Sequence, residues 1–101
     1  MQTPQTITVG TLESSDLMIT LKPNISGIQV DLESNVKKQF GTHITTLIIE
    51  TLQHFGVTDI QVIAVDKGAL DCTIKARTIA AIYRLQGKTD YDWEAINAWH
   101  V

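Results

Sequence analysis

The sequence predicts an α+β domain: a mainly antiparallel β-sheet built from hairpins, with two main helices packed on one face. Short runs that alternate apolar and polar residues come in pairs separated by turn chemistry. Two longer stretches repeat apolar residues at helical spacing, and a glycine stands where each of these helices should stop. Paired strands without helical crossovers between them disfavour a parallel, doubly wound sheet.

Residues 6–10, "TITVG", are a short strand closed by Gly10. In "LMITLKP" Leu17, Ile19 and Leu21 alternate with Met18, Thr20 and Lys22, and Pro23 ends the strand. "NISG" has turn chemistry, and "IQVDLE" then points Ile28, Val30 and Leu32 inward and Gln29, Asp31 and Glu33 outward, so these two strands are expected to form a hairpin. Ser34 or Asn35 is placed to cap a helix that carries Val36, Phe40, Ile44, Leu47, Ile48, Leu52 and Phe55 on one stripe. Gly41 is a point where this helix can be interrupted, and Gly56 is its stop, with Val57 covering the last turn.

"IQVIAV" reads as the next strand and "DKG" as a turn. "ALDCTIK" alternates Leu70, Cys72 and Ile74 against Asp71, Thr73 and Lys75, which predicts a second hairpin. Ala76 to Gln86 is rich in helix formers and Gly87 marks its end. Residues 88–101 form a short helical or flexible tail, with Asp90 or Asp92 as a cap and Trp93, Ile96 and Trp99 at three-residue spacing. With 101 residues and neither internal repeat nor linker, residues 1–101 are read as a single domain.

The apolar fraction of 44% and charged fraction of 19% are those of an ordinary globular protein. A net charge of -3 and scattered lysines and arginines argue against a nucleic-acid partner, which would call for a basic face. No stretch approaches the roughly 20 apolar residues that span a bilayer, and "MQTPQT" has no signal-peptide character, so the expectation is a cytoplasmic protein without a membrane partner. The single cysteine, Cys72, fits a reducing compartment and is read as a small core residue of its strand.

Catalytic constellations are missing. His43 and His54 lie about 16 Å apart on a continuous helix, too far to share a metal directly. His43 is read as a solvated helix residue and His54 as a charge near the helix C-terminus. There is no CxxC, GxSxG or HExxH, and "GTLESSD" lacks the second glycine and the lysine of a P-loop. No catalytic residue and no metal ligand is assigned.

"GTLESSD" at 10–16 sets two serines between two carboxylates, and composition alone makes Ser14 and Ser15 turn residues with Glu13 and Asp16 as solvated charges or caps. Together with "KQFG" at 38–41 and "DKGALDC" at 66–72, in this order, it resembles the acyl carrier, or gamma, subunit of citrate lyase over most of the chain, from Gly10 to about Gln86. The tail matches less well apart from "WE" at 93 and 94.

The resemblance implies a carrier with no catalytic activity of its own. The serine after "GTLE", here Ser14, would bear a covalently attached phosphoribosyl-dephospho-coenzyme A, 2'-(5''-phosphoribosyl)-3'-dephospho-CoA, through a phosphodiester. The family most often has glycine next, where this chain has Ser15. The implied partners are the citrate lyase alpha subunit (acyl transferase), the beta subunit (acyl lyase) and a prosthetic-group transferase. The first exchanges acetyl on the arm for citrate, and the second cleaves the citryl thioester to oxaloacetate and restores acetyl. Such a site needs only a hydroxyl on an accessible loop, while the arm holds its cargo at high effective concentration near both active sites.

Glu13 and Asp16 would repel an anionic phosphodiester. They are therefore read as loop-recognition residues that keep the arm off the surface and identify the loop to the transferase, by way of a metal ion if one takes part; hydrogen bonding of Asp16 to loop amides is the alternative. Asp66, Lys67 and Gly68 are read as docking residues, because "DKGALDC" is more specific than a turn requires. Two other functions compete: the carrier subunit of malonate decarboxylase, with the same prosthetic group, and a small metabolite-binding regulatory module. The latter predicts an apolar pocket with convergent polar groups and an unmodified Ser14.

Overall fold

The computed structural model describes residues 6–24, 26–34 and 38–87. Its elements run β1 (Ile7–Val9), β2 (Leu17–Pro23), β3 (Ile28–Ser34), α1 (Lys38–His54), β4 (Ile60–Asp66) and α2 (Asp71–Leu85). The four strands form one sheet in the order β1-β2-β4-β3. β1/β2 and β2/β4 are antiparallel and β3/β4 is parallel, so the α+β class with a mostly antiparallel sheet holds.

Neither β2/β3 nor the two halves of "IQVIAVDKGALDCTIK" form the expected hairpins. β4 inserts between β2 and β3, because its alternate residues Ile60, Val62, Ala64 and Asp66 are all buried and need a strand on each side. The strand that comes later in sequence thereby takes the centre, and α1 is the crossover that the parallel pair requires. β3 at the edge is only half-buried on its inner face.

Residues 71 onward are helical, not extended. Ile74, Thr78 and Ile82 repeat every four residues and are all buried, and that longer period outweighs the chance alternation of Leu70, Cys72 and Ile74. Cys72 accordingly lies exposed on the helix surface, not in the core.

The core lies between the sheet and the two helices. The register stacks Leu17, Ile19 and Leu21 of β2 beside Asp66, Ala64 and Val62 of β4, on the face that meets Ile44, Leu47, Ile48 and Leu52 of α1 and Ile74, Ile79 and Ile82 of α2. Two buried threonines return their hydroxyls to the helix, Thr51 to the Leu47 carbonyl at 2.7 Å and Thr78 to the Ile74 carbonyl at 2.8 Å, so neither leaves an unsatisfied group. Phe55 is half-buried and meets Tyr83 edge-on at 6.0 Å.

Phe40 departs from the expected stripe and is 52% exposed. Gly41 does not interrupt α1, which runs unbroken past it. Ser34 is the last residue of β3 and its hydroxyl donates to Asp66 Oδ2 at 2.9 Å; residues 35–37, the helix start it is expected to cap, lie outside the described residues. The C-terminal stop of α1 is as expected: Val57 N–H donates to the Leu52 carbonyl and Gly56 N–H to the Gln53 carbonyl, the paired bonds of a Schellman motif, with Gly56 at φ 78°. Gly87 closes α2 at φ 73°. Asn35, Val36, Asp90, Asp92, Trp93, Ile96, Trp99 and His100 lie outside the described residues.

Candidate functional site

The β1–β2 connection, Gly10 to Asp16, is built by two backbone decisions. At Gly10 the chain takes φ 98° and passes so close to β2 that a Cβ there would lie 1.9 Å from the Leu17 carbonyl oxygen; only glycine fits. Six residues on, Asp16 N–H donates to the Glu13 carbonyl at 3.2 Å, closing a β-turn whose corners are Ser14 and Ser15. Ser15 has φ 65°, the left-handed value that the third position of a type II turn requires.

The same residues form a β-bulge. Ser15 N–H donates to the Lys67 carbonyl at 2.7 Å, and Lys67 N–H donates to the Asp16 carbonyl at 2.9 Å, so two residues of one strand oppose one of the other. With its first residue left-handed this is a G1 bulge, a position that ordinarily belongs to glycine. It continues the β2/β4 ladder one step beyond the Leu17–Asp66 pair and joins the two motif loops. Ser14 is exposed at the corner, and its hydroxyl makes no hydrogen bond among the described residues.

Side chains then brace the turn from beneath. The Asp16 carboxylate accepts from Arg77 twice, Nε to Oδ1 and Nη2 to Oδ2, both at 2.8 Å. It also accepts from the Thr11 hydroxyl at 2.6 Å and the Leu17 N–H at 2.7 Å. Asp16 is only 9% exposed. The Arg77 guanidinium, followed by the Thr11 and Leu17 donors, holds its carboxyl well below the usual carboxylate range, while Asp16 in turn raises Arg77. Hydrogen bonding to a loop amide, the alternative weighed for Asp16 above, is thus part of its role, and Arg77 supplies the larger part. Glu13 remains exposed, and its backbone N–H donates to the Thr11 hydroxyl oxygen at 3.2 Å.

In the β4–α2 loop, Asp66 is 3% exposed and turns inward, Oδ2 accepting from Ser34 and Oδ1 from Ala69 N–H, each at 2.9 Å. Lys67 and Gly68 stay exposed beside the Ser14 turn. A surface pocket of about 180 Å³ opens between the start of α1 and this loop, lined among others by Phe40, His43, Ala69 and Asp71. It is smaller than the few hundred Å³ of ordinary ligand pockets. His43 meets Asp71 at 2.9 Å in a half-exposed pair, a partner that the sequence did not reveal. Among the described residues no three metal-ligating side chains converge, and no helix is long and apolar enough to cross a membrane.

Sequence reasoning missed Arg77 altogether, since it stands 61 residues from its partner among scattered cations. A signal did exist: an acid immediately before a buried strand needs a donor. The three motifs do meet in space. The register aligns the start of β2 with the ends of β3 and β4, so Gly10–Asp16, the first turn of α1 and the β4–α2 loop share one end of the molecule.

Comparison with known proteins agrees with this arrangement. Residues 4–85 match the family model described as the acyl carrier protein "Malonate decarboxylase delta subunit (MdcD)". A chain of the Pseudomonas malonate decarboxylase hetero-tetramer, solved in complex with malonate, shares the fold with a TM-score of 0.68 at 20% identity, over 81% of this chain and 87% of that one. The family match over residues 4–85, on this strand-rich fold, makes the chain an acyl carrier domain.

The citrate lyase acyl carrier protein of Latilactobacillus sakei subsp. sakei (strain 23K) is 61% identical over 98% of both chains. That of Streptococcus uberis (strain ATCC BAA-854 / 0140J) is 56% identical over the full length of both. The chain belongs to the citrate lyase acyl carrier protein family, whose members are carriers and not catalysts.

Proposed function

We propose that the protein is the carrier subunit of a citrate lyase assembly and that Ser14 bears the covalently attached 2'-(5''-phosphoribosyl)-3'-dephospho-CoA arm. The observation that supports this most is the Ser14 hydroxyl, exposed and without a hydrogen bond among the described residues, at the corner of a turn locked on both flanks. A transferase reaching this loop meets a nucleophile that need not be withdrawn from any internal partner. The residues fit a phosphodiester: nothing buries the Ser14 oxygen, and the Asp16 charge that would repel a phosphate is neutralised by Arg77. When attached, the arm supplies a terminal thiol for acyl cargo.

The chain's own residues position that arm and present it. Thr11, Asp16 and Arg77 fix the turn; Glu13 is the carboxylate left exposed for recognition by the transferase. Lys67 and Gly68 offer the alpha and beta subunits a rim beside the arm, and Asp66 shapes that rim from inside. Work alongside such partners places the protein in the cytoplasm.

A carrier for malonate decarboxylase would use the same serine, but full-length identity of 54–61% to citrate lyase carriers favours citrate lyase. Intact mass and peptide mapping after co-expression with the modifying transferase test the proposal. The expected result is the added mass of the arm on the peptide containing Ser14, abolished in Ser14→Ala and retained in Ser15→Gly. An unmodified peptide, or an adduct on Ser15, would overturn it.

A further inference from the structure

We infer that the Lys67 ammonium is the built-in counter-charge for a phosphate group esterified to Ser14. Lys67 is the residue facing the G1 bulge, and its carbonyl and N–H are both bonded to the Ser14–Asp16 turn, at 2.7 and 2.9 Å. The position of its main chain beside the Ser14 turn is therefore set by backbone, and its side chain reaches out from that fixed point. The side chain is exposed, and no described carboxylate pairs with it.

The neighbouring charges sharpen the assignment. Arg77 commits two guanidinium nitrogens to Asp16 and cannot turn to Ser14 without breaking the brace. Asp66 is buried with both oxygens occupied, and His43 and Asp71 pair with each other at 2.9 Å. Glu13 is exposed in the turn itself and opposes a phosphate there. Lys67 offsets that repulsion. A lysine suits the task better than an arginine would: as a compact, hydrated point charge on a flexible stem, it follows a mobile phosphodiester without fixing it in a bidentate grip. The natural ligand of this cation rests on the carrier proposal, but the cation itself is testable without the arm.

The probe is the full chain carrying phosphoserine at position 14, whose second ionisation lies near pH 6 and is read by phosphorus NMR. A cation a few ångströms away lowers that ionisation, and Lys67→Gln is expected to raise it by about half a pH unit, a difference that shrinks in high salt. Lys67→Arg is expected to keep the lowered value, and Lys75→Gln, on α2, to leave it unchanged. The backbone bonds of residue 67 survive all side-chain changes, so circular dichroism of the variants should superimpose. Equal values for the wild-type chain and Lys67→Gln, or a rise produced by Lys75→Gln instead, would overturn the assignment. Intact mass after co-expression with the transferase separates the two ideas. A loaded Ser14 with no Lys67 effect overturns only the counter-charge, whereas a Ser14 that never loads overturns the carrier reading and removes the cation's natural ligand.

Discussion

At the scale of single residues, Ser15 carries the sharpest conflict between local preference and the fold. It occupies a left-handed position, φ 65°, where an L-residue with a Cβ loses about 1 kcal/mol relative to glycine. Glycine in the unfolded chain gains freedom that offsets part of this. Ser15→Gly is thus expected to be neutral to stabilising by up to about 1 kcal/mol, and Ser15→Val, whose β-branch suits this backbone least, to destabilise by about 1–2 kcal/mol; urea denaturation of the pair measures both. The glycine that the family resemblance implies there would then be an answer to the turn. None of this is readable in the sequence, because the left-handed conformation is imposed by pairing with Lys67, which lies more than fifty residues further on.

At the scale of elements, the strands and α1 were legible because their apolar residues kept one period throughout. The start of α2 was not, since Thr78, which belongs to its buried stripe, is polar and hides the four-residue repeat from Ile74 to Ile82. Strand pairing was illegible for another reason: alternation states which face is inward but not which strand lies alongside, and β4 reads equally well as a hairpin arm or a central strand. Gly41 shows the converse, a residue whose sequence signal overstates its structural effect. It sits inside an unbroken helix, and a Cβ there would meet Leu32 Cδ2 at 3.7 Å, ordinary contact. Gly41→Ala is expected to stabilise the protein by about 0.5–1 kcal/mol through helix propensity, seen as a higher urea midpoint at unchanged slope. A loss of stability would mean that the first turn of α1 needs a close approach by something other than Leu32.

At the scale of the whole molecule, the Asp16–Arg77 pair fastens the Ser14 loop to the last described helix. Because Asp16 is held below its ordinary value near 3.9 in the folded chain, the pair supports the fold at any pH above that value. Its contribution fades as pH falls from there toward the lowered folded value. In Arg77→Leu the Asp16 carboxyl is expected to titrate close to the ordinary carboxylate range, followed by carbon NMR, and the rate of Ser14 modification to fall by up to about 100-fold as the turn loses its brace. The Ser14 residue itself became legible only through the resemblance carried by three short motifs, and the fold supplies the reason they travel together: they meet at one end of the sheet. The lock on the serine also has a consequence for biosynthesis. A ribosome makes Ser14 more than fifty residues before Lys67 and Arg77, so a nascent chain that stops short of them carries the serine without the bonds that hold its turn. The turn's conformation thus reports that synthesis has passed α2.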